Sequence, residues 1–406
     1  MPLLLAASLA LTACGARDPS FALSDLAAPA AAGSMAPRLA AAPDGALIAS
    51  WLEPDGAGHA LRYARYRDGR WSAPRAAARG DDWFVNWADT PGVFAHGELL
   101  VAHWLRKSGT STYAYDVQLS VSRDDGASWS APVMPHHDGV AAEHGFVSWF
   151  PHGAGFGLIW LDGRDAAPEE AGSTGHGGHE GHAEHGAMMT IRYGLFGADG
   201  VQTLEGVIDE STCDCCPTDV AATRAGPLLV YRDRMAGELR DVFASRLTAS
   251  RWSAPQAVHV DAWKMPGCPV NGPAVAADGE RVAVGWFTAA GDVPKVLLAW
   301  SGDSGTKFAP PVRIDGGHPV GRVEVVVEED VATVLWLEQL GTAGAELRAR
   351  RAWADGSLGE TQVLTTTAAA RASGFPRAVQ SAAVTYLAWT EVGADAARQV
   401  RVGALR

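Results

Sequence analysis

Apolar residues recur along this chain in short runs that close on an aromatic side chain. The runs at 46–51, 99–104, 156–160, 227–231, 282–286, 332–336 and 384–389 end on Trp51, Trp104, Trp160, Tyr231, Trp286, Trp336 and Trp389, at intervals of 53, 56, 71, 55, 50 and 53 residues. A low-complexity insertion at 168–187 accounts for the one long interval. Before each run stands a short segment such as Pro37-Arg38-Leu39 or Pro376-Arg377-Ala378, and after it an alternating one such as 61–66 or 115–120. A fourth segment is marked by Trp-Ser-Ala-Pro at 71–74, 129–132 and 252–255, and more loosely by Phe308-Ala309-Pro310. Alternation with a period of two, bounded by Gly and Asp turns, predicts strands, and no stretch carries a helical period.

Four strands repeated seven times predict an all-β propeller of four-stranded antiparallel blades in a single domain, 34–406. The seventh copy ends at its third strand, 400–406, and the residues at 21–29 can supply the missing fourth. Pairing the two chain ends would then close the ring and remove the exposed edges.

One turn carries a more specific signal. Ser122, Asp124, Gly126, Ser128 and Trp129 fill every position of the pattern S-x-D-x-G-x-[ST]-W. In this pattern the Asp bonds amides of its own turn, Gly supplies a positive φ, and Trp packs beneath. The stretch resembles the Asp-box of the sialidase-like (BNR-repeat) β-propellers, and Ser301, Asp303, Gly305 and Phe308 repeat it in weaker form. The resemblance implies a box between the third and fourth strands of blade two. It also implies six blades, the alternative to the seven counted.

Composition narrows the functions. The 406 residues, 47% hydrophobic and 19% charged, can bury a large core. Thirty-three Lys and Arg against 46 Asp and Glu give a net charge of −13, which argues against a nucleic-acid partner. The apolar segment 1–13 reads as an export signal, and Leu11-Thr12-Ala13-Cys14 resembles a bacterial lipobox. That resemblance implies lipidation of Cys14 and a tether over 14–33. The mature protein would sit at the outer membrane as a monomer, facing the periplasm or exterior and touching the membrane through its lipid alone. No Lys or Arg precedes the apolar run, a departure from the usual signal.

First strands line a propeller's channel, so their opening residues are the candidate site. Arg322, Arg377 and Arg38 open the consecutive blades six, seven and one, and three planar donor forks converging there would hold a carboxylate. They resemble the arginine triad of sialidases, which implies an anionic glycan or similar carboxylate-bearing ligand. The alternative is pairing with local acids, Arg322 with Glu324 for instance. Asp89, before blade two, is the candidate acid of an exo-glycosidase, and His144 and Ser148 open blade three. The resemblance also requires a Tyr nucleophile activated by a Glu, yet none of the seven tyrosines stands at a first-strand start.

Two clusters suggest metal instead. Cys213, Cys215, Cys216 and Cys268 precede blades four and five, where disulfides would staple the blades together, Cys216 facing Cys268. Alternatively they form a thiolate site for copper or zinc, assisted by Met265 or Asp219. In the insertion, His176, His179, His182 and His185 recur at every third position, as copper, zinc or nickel ligands or as a solvated loop. Between Tyr231 and Asp241, alternating charges predict an ion-pair network. Three functions follow: a glycan-binding or glycoside-hydrolysing propeller, a periplasmic copper- or zinc-binding propeller, and an interaction scaffold without a small ligand.

Overall fold

The computed structural model describes residues 20–166, 188–393 and 395–406. The signal segment 1–13, Cys14 and the four histidines His176, His179, His182 and His185 lie outside them. Among the described residues no helix is long and apolar enough to cross a membrane.

Seven antiparallel sheets follow one another along the chain and form a seven-bladed propeller. The second strands Leu47–Asp55, Leu99–Lys107, Gly155–Asp162, Gly226–Arg232, Arg281–Thr288, Val331–Leu340 and Val384–Val392 carry the seven aromatic-ended runs. The first strands are Met35–Ala41, Gly92–His96, His144–His152, Asp219–Thr223, Ala274–Asp278, Pro319–Glu328 and Arg377–Ser381. From blade three round the ring to blade two, each first strand packs against the next. Apolar layers between adjacent sheets make up the core, for instance Trp51 against Val400 and Val402 between blades one and seven, and Trp300 against Val325 between blades five and six.

Blade two has three regular strands, and the residues after its turn take the fourth place. Val133 and Leu119 exchange both backbone hydrogen bonds at 2.8 and 2.9 Å, and Ser130 N–H donates to Val121 O at 2.9 Å. The ring closes in blade seven, where the strand Leu23–Asp25 pairs with Arg398–Leu405 and puts Leu23 opposite Leu405. A sheet that borrows its outer strand from the chain's other end leaves no free edge at the junction.

Three of the second-strand tryptophans share one device. Residues i and i+2 lie on the same face of a strand, and Trp51, Trp160 and Trp336 each donate the indole N–H to a carboxylate two positions on. The acceptors are Glu53 at 2.6 Å, Asp162 at 2.7 Å and Glu338 at 2.7 Å. Trp286 reaches Asp261 at 2.6 Å from outside its strand. In these four blades the buried indole has its acceptor while the ring fills the layer between blades; Trp389 Nε1 is buried without one.

The turn at 122–129 is closed by its own side chains. Ser122 Oγ accepts from Gly126 N–H at 2.8 Å and donates to Asp124 Oδ1 at 2.8 Å, and Asp124 Oδ1 accepts from Ser128 N–H at 2.8 Å. Gly126 has φ +78°, and a Cβ there would overlap the Tyr63 hydroxyl. Trp129 meets the Tyr63 ring edge-on at 6.0 Å, and Arg65 and Arg75 of blade one bond Asp125. The turn of blade five leans on blade four likewise, with Arg246 bonding Ser304 O. Arg65 and Arg246 are equivalent residues, since each accepts through its carbonyl from the serine of its Trp-Ser-Ala-Pro segment, at 2.8 Å in both cases. These two turns therefore lock blades two and five to the blades before them.

In Glu338→Ala the fully buried Trp336 indole loses its acceptor, and so does His318 N–H. An unpaired buried donor costs about 1–3 kcal/mol, so the unfolding free energy should fall by that much, read as a lower urea midpoint at unchanged m-value. An unaltered midpoint would remove the tryptophan–carboxylate pair from the account of stability.

Candidate functional site

In every blade, one first-strand residue lies opposite the residue that precedes the second-strand aromatic. The pairs are Arg38 with Ser50, Gly92 with His103, Ser148 with Ile159, Asp219 with Val230, Ala274 with Gly285, Glu324 with Leu335, and Arg377 with Ala388. Equivalent register puts these seven residues at one level around the channel, in the order Arg, Gly, Ser, Asp, Ala, Glu, Arg. Two guanidiniums from adjacent blades therefore share a ring with two carboxylates. The small members make room, since a Cβ on Gly92 would stand 3.0 Å from Arg38 Cγ.

Arg38 donates through Nε to Thr90 Oγ1 at 2.9 Å and through Nη2 to Val147 O at 3.2 Å. Arg377 holds Glu324 at 3.6 Å through Nη1, while its buried Nε and Nη2 have no partner. Asp219 accepts from Val275 N–H at 2.8 Å and from Val220 N–H at 2.9 Å. Burial, with Arg377 alongside, lowers Arg38 to about 9 against the pull of Asp89, Glu324 and Asp219. Burial also raises Glu324 to about 7, Arg377 opposing and Asp219 adding to the rise. The site thus carries a carboxyl that gains and loses its proton near neutrality beside an incompletely bonded guanidinium.

Arg322 does not join the expected triad. A β-bulge interrupts the register between Gly321 and Glu324, and Arg322 itself has φ +55°. The extra residue turns its side chain away. Its guanidinium donates to Ser373 Oγ at 2.7 Å and Gly374 O at 2.8 Å, and lies 4.7 Å from the centre of the Trp87 ring. Glu324, two residues on, holds the position in blade six that Arg38 and Arg377 hold in theirs, and its partner is Arg377 rather than Arg322. Arg322 therefore fastens the loop before blade seven to the Trp87–Phe375 stack.

Asp89 lies beside the ring. Its carboxylate accepts from Tyr115 Oη at 2.8 Å and from Phe146 N–H at 2.8 Å, and Tyr115 Oη also lies 2.9 Å from Glu143 Oε1. Burial raises Asp89 to about 6, the bonds from Tyr115 and Phe146 working against the rise. Tyr115 opens a third strand, Tyr115–Ser122, so a search confined to first-strand starts passes it over. Its ring is fully buried beneath Phe84, the two stacked at 4.0 Å. Ser148, the ring's member in blade three, donates to Thr218 O at 2.8 Å.

The cysteines divide into two pairs. Cys215 and Cys268 form a disulfide that joins the segments leading into blades four and five. This removes both from the four-thiolate alternative, and Cys216 is not the partner of Cys268. Cys213 and Cys216 are buried with their sulfurs 2.9 Å apart. The Cys216 thiol is drawn down to about 7 although burial opposes it, by the bond with Cys213 and the nearby Arg232, Asn271 N–H and Arg240. Arg232 is capped by the carbonyls of Asn271 at 3.0 Å and Phe287 at 2.6 Å, and Arg240 bonds Glu238 at 2.6 Å through Nη2 while its buried Nε and Nη1 have no partner. Two side concavities, of about 470 and 520 Å³, are lined by Phe21, Arg351 and Arg406 and by Met134, His137 and Phe196, away from the ring.

No protein-family model matches the sequence, and no curated protein resembles it significantly. Among solved structures, the chain is similar to a protein of unknown function from Dyadobacter fermentans, at 13% identity and TM-score 0.50, over 92% of this chain and 95% of that one. It is similar to the polysaccharide lyase Uly1 at 7% identity and TM-score 0.52, over 89% and 88%. A Trypanosoma rangeli sialidase is similar at 12% identity and TM-score 0.46, over 77% of this chain and 53% of that one, so the chain spans about half its length. At these identities the likeness is one of fold.

Asp89 and Glu324 keep protons in the folded state that the unfolded chain has already released. The stability these two protons contribute should therefore be full near pH 4 and be lost as pH rises through about 6 and 7, on the order of 2–3 kcal/mol for each group. The buried neutral His103 and His136, lowered to about 3 and about 4, act in the opposite direction. Between pH 4.5 and pH 7.5 the double variant Asp89→Asn, Glu324→Gln should gain stability relative to the unsubstituted protein. A pH dependence left unchanged by the two substitutions would contradict this electrostatic account.

Proposed function

We propose that this propeller binds an anionic, carboxylate-bearing glycan at its channel mouth, and does so from a lipid anchor in the bacterial cell envelope. The observation that carries the reading is the pair Arg38 and Arg377. They are adjacent in one ring, and the Nε and Nη2 of Arg377 are buried without a partner. A carboxylate that displaced the packing over that buried fork would complete its hydrogen bonds. Glu324 is the internal competitor. With its proton on, it releases Arg377 and can donate a hydrogen bond; with its proton off, it holds the guanidinium at 3.6 Å. Binding should therefore be tighter at pH 6 than at pH 8.

Carbohydrate is favoured over other carboxylates by the likeness of fold to Uly1, for which polysaccharide is the named substrate class. The anchor rests on the lipobox-like Leu11-Thr12-Ala13-Cys14. Binding without hydrolysis is the better supported form, since Asp89 and Tyr115 are both buried, Tyr115 beneath Phe84. A copper or zinc site made of all four thiols is disfavoured by the Cys215–Cys268 disulfide.

A glycan array probed with protein lacking the signal and lipid tests the reading, with a fluorogenic sialoside as the assay for turnover. Expected are binding to uronate- or sialate-bearing glycans over their neutral counterparts, and no release of fluorophore. Arg377→Ala should weaken binding about 10–100-fold, as fits loss of a charge-assisted hydrogen bond. Silence on every acidic glycan, or equal binding of neutral ones, would sink the proposal.

A further inference from the structure

Beside the channel, five side chains from blades two and three meet in a second polar cluster. Asp116 comes from the third strand of blade two, His136 and Asp138 from the loop between the blades, and His144 and Asp162 from the first two strands of blade three, where they face each other in register. His144 and Asp162 are 0% exposed and His136 is 3% exposed. The imidazoles stack at 3.8 Å with 5° between planes.

The hydrogen-bond directions define the problem at this cluster. His144 Nδ1 faces Tyr115 O at 3.3 Å and Asp116 Oδ1 at 3.4 Å, both acceptors, so Nδ1 carries the ring's proton. The opposite nitrogen, Nε2, is buried without a hydrogen-bond partner and faces only further acceptors, Asp138 Oδ2 at 3.4 Å and Asp162 Oδ1 at 3.5 Å. Asp138 Oδ2 also lacks a hydrogen-bond partner. Although burial opposes it, Asp116, Asp162 and Asp138 raise His144 above the ordinary histidine range, so Nε2 is the place where a proton and a metal ion compete. Nε2 and two carboxylates turned toward one another repel unless such a positive centre lies between them.

Charge counting points the same way. The carboxylates of Asp116, Asp138 and Asp162 are answered by Arg164, which contacts Asp162 at 2.7 Å and Asp138 at 3.2 Å. Glu205 on Arg164 and Arg192 near Asp162 cancel each other. A surplus of two negative charges remains in a buried place with His144 neutral, and of one with its imidazolium.

We propose that His144 Nε2, Asp138 and Asp162 bind a divalent cation of the zinc class, with Asp116 orienting His144 from behind through Nδ1. The three donor atoms lie within 4.8 Å of one another. Donors about 2.1 Å from a tetrahedral ion stand about 3.4 Å apart, the separation found here. One imidazole nitrogen with carboxylate oxygens suits a borderline ion such as zinc, and a carboxylate behind the ligating histidine is the usual way to fix its tautomer. His136, stacked on His144 with its Nδ1 3.3 Å from Asp138 Oδ2, closes the site against solvent. The position ties the site to the channel: Tyr115 and Glu143, which share a hydrogen bond, are the chain neighbours of Asp116 and His144.

The test uses the full mature chain with His176, His179, His182 and His185 replaced by Ser, so that the insertion contributes no zinc binding. After chelation and dialysis it is titrated with zinc by calorimetry, and bound zinc is counted by elemental analysis. Expected are one zinc per chain and a higher Tm with zinc, both lost in His144→Gln. Asp116→Asn should keep the single site but weaken it about 10–100-fold. This second variant keeps the test decisive if His144→Gln folds poorly, because an affinity unchanged by Asp116→Asn would overturn the proposal. Less than one zinc per chain at saturation would also overturn it, as would ring nitrogen chemical shifts showing His144 protonated on both nitrogens in zinc. The glycan reading rests on Arg38 and Arg377, so zinc uptake can fail while glycan binding stands.

Discussion

Register is the constraint on which the rest of this molecule depends. Each sheet presents its first strand to a common axis, and strand geometry sends alternate residues to opposite faces. One position per blade is therefore brought to a single level, and residues about fifty apart in sequence become neighbours. Arg38, Asp219, Glu324 and Arg377 each sit in the field of the others because no strand can move alone without flipping its whole face. Ring closure by Leu23–Asp25 against Arg398–Leu405 holds that register, and the indole–carboxylate pairs and the inter-blade turns fix the spacing between sheets.

The fold was largely legible because its signals are local and repeated. Seven aromatic-ended runs, their spacing and the incomplete last copy already describe a closed ring of seven, against six for the family it resembles. The site was legible only in part. Arg38 and Arg377 could be found as first-strand openers, but the same rule picked Arg322, where a bulge of one residue gives its place to Glu324. Such a bulge leaves no mark on hydrophobic alternation, since Gly321-Arg322-Val323 reads as ordinary strand. Tyr115 was hidden for a different reason. It reaches Asp89 and Glu143 from a third strand, a contact made by the closing of two blades rather than by any one repeat. Likewise the choice of Cys215 over Cys216 for Cys268 depends on which sulfur the Cys-Asp-Cys-Cys turn directs outward, and the spacing of thiols does not encode that.

The two polar centres differ in how their charges are answered. Around the channel, guanidiniums and carboxylates nearly balance, and what remains open is a donor fork on Arg377. At His144, carboxylates outnumber cations, and what remains open is an acceptor. An unanswered donor invites an anion and an unanswered acceptor invites a cation, because buried polar groups are costly to leave unpaired. Tyr115 and Glu143 form the seam between the two centres, so whatever stiffens the His144 cluster also steadies the wall of the channel.

The claim that Arg377 is the open fork of the channel is tested most directly at its own nitrogens. In a protein labelled with ¹⁵N-arginine, the Nε–Hε resonances of Arg38, Arg322 and Arg377, assigned by substitution, can be followed while glucuronate is added at pH 6. The account predicts a saturable shift of Arg377, a smaller one of Arg38, and none of Arg322, whose hydrogen bonds are already made. A shift confined to Arg322, or no shift at any of the three, would contradict it.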